Sequence, residues 1–443
     1  MPDFDSVYRV IRRRGEPEVR PLDAYRRAGG YAALEKAVRE QTPEQVIQQV
    51  LDAKLRGRGG AGRPTGEKWR IVRRQDDNIK YVICNAYDAD ARSWAVRTML
   101  ERNPHQVIEG IVLAAYAVGA SEAYLFTRSL YVGGIASVQQ ALEEALAANL
   151  VGRDILSTDF SCTINVVGVD LGFMGGEETV QINVIKGRRG MPEQRPPYPA
   201  QFGLWDKPTA INSVETLANV PVIVRDGAEA FTSVGTATTG GTKVLTVYDY
   251  VPDSEPRVVE VPFGATLREI LRHAGYSRPE SDLRAVVVGG AEGGALPTSL
   301  LDTPFDYDPL EEAGAIVGSG LIELLPANTC MVAWAKERSH YLSKESCGKC
   351  VPCRIGMKRV TGILEGVISD LGIKSDLDML DEFANYIPDG SLCGFGIHAP
   401  NALKTAKRYW PDHFRMHVEE QACPTGTCIP VRSHRFVTKH VLP

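Results

Sequence analysis

Apolar residues recur along this chain with two periods, and the alternation between them outlines a fold. Val46, Ile47, Val50 and Leu51 share one face of a 3.6-residue repeat. Thr42 as N-cap, Pro43 at the first helical position and Gln45 closing a capping box predict where that helix begins. The glycines beyond residue 56 predict where it stops. Downstream, short apolar runs alternate with amphipathic ones: a strand over 79–85, a helix over 105–120, a strand over 122–128, a helix over 135–150 and a strand over 163–169. Such alternation predicts a layered α/β domain with parallel strands, right-handed crossovers and a ligand crevice at the strand ends.

From about residue 240 the texture changes. "KVLTVYDYV", "PRVVEVPFG", "LRAVVVGG" and "GLIELLP" read as short strands around the single helix "ATLREILRHAG", the pattern of a small β-grasp-like domain. Beyond 330 strands vanish. A helical stripe of Val360, Ile363, Leu364, Val367, Ile368 and Leu371, followed by Leu377, Leu380, Phe383 and Ile387, predicts a packed bundle. The expected divisions are an N-terminal extension (1–40), an α/β domain (41–239), the β-grasp-like domain (240–328) and a helical domain (329–443).

The 443 residues fit about three domains. A net charge of -5 with both signs interspersed leaves no basic stripe for nucleic acid. The start has arginines but no apolar stretch behind them, unlike a secretory signal. The most apolar segment, "VIEGIVLAAYAVGA", carries Glu109 and is shorter than the about 20 residues a bilayer requires. A cytoplasmic protein without membrane insertion is expected, and in a reducing compartment its nine cysteines are better read as metal ligands than as disulfides.

Three of them form a row: Cys347, Cys350 and Cys353 in "ESCGKCVPCRIG", with Cys393 in the glycine-flanked "DGSLCGFG" as a distant fourth. Two residues between thiolates let consecutive ligands reach three corners of a cubane that a remote one closes, so a 4Fe-4S cluster is expected. Zinc is the alternative, although zinc sites usually pair two short C-x2-C units. His417, Cys423 and Cys428 form a second constellation. Cys330 offers it a fourth ligand and a closed Cys3His zinc site; otherwise Cys330 is a small buried hydrophobe and the tail pair is free. Cys84 and Cys162 read as packing residues.

"GRGGAGRPTGEKWR", residues 57–70, combines five glycines with Lys68 and could cradle a phosphate, or be only a flexible turn. "DLGFMGGEETV" leaves the strand at 163–169, and its Glu177 and Glu178 open a helix, where carboxylates favour the dipole and, in a crevice, could also bind ribose hydroxyls.

These segments, with "CNAYDAD", "KGRRGMPEQRPPYPAQFGLWDKPTAINSVETLANVP" and "LDTPFDYDPLEEAGAIVGSG", stand in the order found in a known family. The chain resembles the NADH-binding, FMN-containing subunit of respiratory complex I and its relatives in NAD-dependent formate dehydrogenases and NAD-reducing or electron-bifurcating hydrogenases. The resemblance runs from about residue 40 to 428. It implies a Rossmann-like layered FMN/NADH domain, an SLBB-type β-grasp and a helical bundle around a 4Fe-4S cluster. FMN is then expected on Gly57, Gly59, Gly60, Gly62, Lys68, Asn85, Gly176, Glu177, Ile211, Asn212, Ser213 and Thr216. NAD(H) is expected near Glu178, Arg195 and Tyr198, with Glu178 and Asp88 as the acids of the reaction centre. The tail spacing of hydrogenase-branch relatives supports the zinc reading.

The resemblance further implies a thioredoxin-like 2Fe-2S partner subunit and another iron-sulfur or catalytic subunit, such as a hydrogenase or formate dehydrogenase. Departures gather where the dinucleotide should sit. Arg63 stands where an aromatic ring usually stacks the adenine, Tyr87 and Asp88 alter an acidic stretch, Phe173 replaces a tyrosine and Gly175 a cysteine. Tyr87 beside the flavin is expected to narrow the pocket or replace a stacking partner. Glu178 favours NAD by repelling a 2′-phosphate, whereas Arg63 could attract one. The expected function is hydride exchange between NAD(H) and FMN with single-electron transfer through the cluster. The alternative is a relay or scaffold that keeps the cluster and has lost or altered dinucleotide binding.

Overall fold

The computed structural model describes residues 4–11, 20–250 and 255–428. The arginine run at 12–14 and the end of the tail beyond 428 lie outside the described residues. Close packing divides the chain into two compact units: Met1–Ser277 with Leu301–Glu311 and Val317–Ile322, and Arg278–Leu300 with Glu312–Ile316 and Glu323–Pro443.

The first unit begins with α1 (Leu22–Arg27), α2 (Ala32–Glu40), α3 (Pro43–Asp52) and α4 (Thr65–Arg74). Helix α3 starts where the capping residues predict: the Thr42 hydroxyl accepts from Gln45 N at 3.3 Å and the Gln45 side chain accepts from Thr42 N at 2.7 Å. There follow β1 (Tyr81–Ala86), α5 (Ala95–Arg102), α6 (Pro104–Val118), β2 (Glu122–Arg128), α7 (Val132–Ala147), β3 (Thr163–Val169), α8 (Glu178–Ile185), β4 (Thr209–Ser213), α9 (Val214–Asp226) and α10 (Ala228–Thr232). Helix α6 is buried nearly all round and packs closely on α9, where a Cβ at Gly110 would lie 2.1 Å from the Leu217 carbonyl.

All four strands are parallel, in the order β3-β2-β1-β4. After β1 the chain builds outward through β2 and β3, then returns to the other side of β1 to lay down β4. That reversal is the topological switch point of an open α/β sheet, and its crevice lies beyond the C-terminal ends of β1 and β4. The sequence pattern did not predict β4, because "TAINS" is short and largely polar; its pairing with β1 makes it a strand. The hairpin of β5 (Thr242–Asp249) and β6 (Arg257–Pro262) follows, and then α11 (Leu267–His273).

In the second unit β7 (Leu283–Val288) pairs antiparallel with β8 (Gly294–Leu296). Helix α12 (Tyr307–Glu312) belongs to the first unit except for its last residue, and β9 (Leu321–Pro326) begins in the first unit and ends in the second; beyond them the second unit holds helices only: α13 (Met331–Glu345), α14 (Met357–Ile368), α15 (Lys374–Asp389), α16 (Gly394–His398), α17 (Asn401–Tyr409) and α18 (Pro411–Arg415). Val360, Leu364, Val367, Leu380 and Ile387 are buried as the stripe predicts. Leu371 is not: the helix ends at Ile368, Asp370 turns left-handed at φ 60°, and Leu371 is 66% exposed. No helix among the described residues is long and apolar enough to cross a membrane.

Candidate functional site

The parallel register places Cys84 beside Asn212 and Asn85 beside Ser213, so β1 and β4 deliver their last residues to one edge. Asn85 Nδ2 donates to the Gly176 carbonyl at 2.8 Å, which brings in the second glycine loop. Lys68, from α4, donates to the Ile211 carbonyl at 2.6 Å, and neighbouring Trp69 donates to Asn212 Oδ1 at 2.9 Å. Ser213 Oγ caps α9 by accepting from Thr216 N, and Thr216 Oγ1 accepts from Arg58 N at 2.8 Å. The segments 57–62, 68, 85, 176–178 and 211–216 therefore meet at the switch point.

The glycine loop fits a phosphate-bearing group. The backbone N–H groups of Gly59, Gly60, Ala61 and Gly62 find no acceptor among the described residues. Gly60 and Gly62 adopt φ 105° and 62°, and a Cβ on Gly62 would lie 2.5 Å from the Tyr307 ring, so only glycine suits the turn. Consecutive free N–H groups in such a turn form a concavity for an anion.

The acids lie at the start of α8. Glu177 caps it, with Oε2 accepting from Thr179 N at 2.8 Å and Val180 N at 2.9 Å. Arg195 donates to both Glu177 and Glu178, the latter at 2.8 Å, and Lys68 Nζ stands 3.9 Å from Glu178. Burial raises the Glu177 carboxyl and lowers the Lys68 ammonium from their ordinary values. Arg195 Nε is buried with no partner among the described residues, and Tyr198 is 44% exposed.

Asp88 is placed differently. It is buried, accepts from the Tyr131 hydroxyl at 3.1 Å, and burial pushes its carboxyl up to about 6. The expectation for Tyr87 needs correction: the side chain is 4% exposed and neither offers a stacking face nor narrows an opening. Its hydroxyl accepts from Leu171 N at 2.8 Å and donates to the Gly172 carbonyl at 3.0 Å, and Arg128 lies over the ring. Arg63 is exposed, and its side chain has no acidic partner among the described residues.

In the second unit Cys353 sits on a π turn (Pro352–Gly356) and Cys393 immediately precedes α16. Leu392 N donates to Cys350 Sγ at 3.3 Å, and a Cβ at Gly396 would lie 3.4 Å from Cys353 Cβ, so the loop bearing Cys393 rests against the cysteine row. The other quartet is gathered closely. The ligand atoms of Cys330, His417, Cys423 and Cys428 all lie within 4.8 Å of one another, the spacing for one ion. That quartet fits a closed tetrahedral site. His417 also rides on a π turn (Met416–Glu420), with Nε2 3.3 Å from Cys330 Sγ and 3.7 Å from Cys428 Sγ. Its Nδ1 is buried without a partner among the described residues. Cys84 and Cys162 are fully buried, as packing residues should be.

Residues 50–222 match the family profile described as the Nuo51 FMN-binding domain, and residues 333–417 match the NADH-ubiquinone oxidoreductase-F iron-sulfur binding region. The HndC subunit of the NADP-reducing hydrogenase of Solidesulfovibrio fructosivorans is 38% identical over 92% of this chain and 82% of its own. An NADH-quinone oxidoreductase subunit of Rhizobium meliloti is 36% identical over 95% and 99%. The chain belongs to this family. A crystal structure of an NAD+-reducing NiFe hydrogenase superposes with a TM-score of 0.78 at 30% identity, covering 89% of this chain; this chain spans 66% of that one. Like its family, this protein is an oxidoreductase subunit of the FMN and 4Fe-4S type, transferring electrons between NADH and iron-sulfur relays.

Sequence reasoning missed two groups at the glycine loop. Arg58 is 2% exposed and Tyr307 9% exposed, and both contact the backbone there. An arginine enclosed by glycines with no acidic neighbour in sequence was the available signal.

Proposed function

We propose that residues 41–239 bind FMN and NAD(H) at the switch-point crevice, and that the helical region 329–443 passes electrons onward through a cluster on Cys347, Cys350, Cys353 and Cys393. The β-grasp-like division at 240–328 is part of the same proposal. The convergence of free glycine-loop N–H groups with the Glu177, Glu178 and Arg195 group at the ends of β1 and β4 carries this reading.

FMN, when bound, supplies the conversion between a two-electron hydride and single electrons. The loop N–H groups of residues 59–62 would hold its phosphate, with Lys68, Asn85, Gly176 and the 211–216 segment along the rest of its length. Glu178 orients the dinucleotide by accepting from ribose hydroxyls, Arg195 and Tyr198 flank it, and Asp88 is assigned to holding the segment after β1. NAD(H) is the favoured dinucleotide because Glu178 repels a 2′-phosphate.

Cys330, His417, Cys423 and Cys428 hold zinc, a structural ion that ties the tail to the start of α13. The protein works in the cytoplasm with a thioredoxin-like 2Fe-2S subunit and a further iron-sulfur or catalytic subunit, since one cluster is no terminal acceptor. Anaerobic titration of the purified complex with NADH tests the dinucleotide role. Bleaching of the flavin absorbance is expected; a flavin that stays oxidised would return the chain to an electron relay or scaffold.

A further inference from the structure

Arg56 and Arg58 bracket Gly57, and each lies over an aromatic ring. The Arg56 guanidinium carbon is 4.1 Å from the centroid of Tyr307, and that of Arg58 is 4.6 Å from the centroid of Phe263. The two rings stack on each other at 5.7 Å with 17° between their planes. The four side chains form one column of contacts, cation on ring, ring on ring and ring on cation. Arg58 spends its guanidinium on main-chain carbonyls, those of Arg56 at 2.9 Å, Gly240 at 2.5 Å and Thr242 at 3.0 Å.

The column acts on a single peptide group. Tyr307 donates its hydroxyl to the Gly57 carbonyl at 2.7 Å, while the Arg58 N–H of the same peptide donates to Thr216 Oγ1 at 2.8 Å. Both ends of that plane are held, so it cannot rotate without breaking a hydrogen bond at each side. Arg56 Nε donates to the Gly62 carbonyl at 2.7 Å, which fixes the far end of the turn. Tyr307 is anchored in its turn: Asp306 accepts from Tyr307 N at 2.8 Å and from the hydroxyls of Thr236 and Thr239 at 2.7 and 2.9 Å.

We propose that Tyr307 is a positioning residue of the flavin site: through its hydroxyl and its ring it locks the 57–58 peptide and preorganises the N–H groups of residues 59–62 before any ligand arrives. The inference rests on reading that loop as the flavin phosphate cradle. Preorganisation of this kind raises affinity by sparing the ordering of the loop at the moment of binding.

The test compares Tyr307→Phe with wild type and with Tyr116→Phe in the full-length chain. The second substitution also removes a tyrosine hydroxyl from a main-chain carbonyl, that of Gln41 at 2.5 Å, away from the loop. FMN affinity from fluorescence quenching should weaken about tenfold in Tyr307→Phe, the effect of one buried hydrogen bond, and by less than about twofold in Tyr116→Phe. Amide exchange at Gly57 and Arg58 in the FMN-free chain should quicken in Tyr307→Phe alone. Wild-type affinity and exchange in Tyr307→Phe would overturn the proposal. Should that variant fail to fold, Arg56→Gln, which keeps the tyrosine and removes the outer cation, takes its place: weaker FMN binding with faster exchange supports the brace, and wild-type values overturn it. A wild-type chain that takes up no FMN overturns the cradle reading, and amide exchange then decides the brace by itself.

Discussion

The ring of Tyr87 fills the space that a side chain at residue 175 would need: a Cβ built on Gly175 lies 2.3 Å from Tyr87 Cζ. Tyr87 and Gly175 are thus paired in space. The ring takes up the room, the glycine yields it, and the tyrosine hydroxyl ties down the 171–172 turn that leads to Glu177.

Gly175→Ala is therefore expected to destabilise the protein by about 1–3 kcal/mol through overpacking against the ring. In a Tyr87→Leu background the same change should cost much less. Urea unfolding of the four chains in a double-mutant cycle measures the coupling, and additive effects would show that the two positions do not share that space.

Burial of Asp88 sets a pH dependence. Its carboxyl sits at about 6 in the folded chain against an ordinary 3.8, so the native state binds more proton than the unfolded state between those values. Stability from this group is present at low pH and is lost as pH rises through about 4 to 6, by about 2–3 kcal/mol in all. The stability of wild type minus that of Asp88→Asn should fall by that amount between pH 4 and pH 7. A flat difference would place the carboxylate in contact with water.

The two cysteine groups should lose metal independently. Cys393→Ala is expected to abolish most of the iron and leave zinc near one per chain, while Cys428→Ala should lower zinc and spare iron. Elemental analysis of anaerobically purified chains reads both at once. Loss of both metals from either variant would mean that the second unit needs each site to fold.

Glu178→Gln should raise the KM for NADH by about 10–100-fold, the value of a charge-assisted hydrogen bond to a ribose, while FMN content stays at the wild-type level. Steady-state kinetics with an artificial acceptor and flavin quantification after denaturation separate the two effects. A variant that loses its flavin would instead make Glu178 part of the FMN site.

Much of this protein is legible in its sequence because it is local. Helix α3 is written in Thr42, Pro43 and Gln45, strands β2 and β3 in apolar runs whose ends the structure reproduces, and the cluster in a row of thiols three residues apart. Each of these depends on a residue and its near neighbours, through a capping hydrogen bond, a period or a ligand spacing. The tertiary structure alone decided what joins segments far apart in the chain. Strand β4 exists because β1 offers it a free edge, and that pairing creates the switch point. Arg58 finds its carbonyls and Phe263 only once the chain has closed around it. Strand pairing and burial of a charge are decided by partners that local pattern does not name, which is why the sequence set out the parts and packing assembled the site.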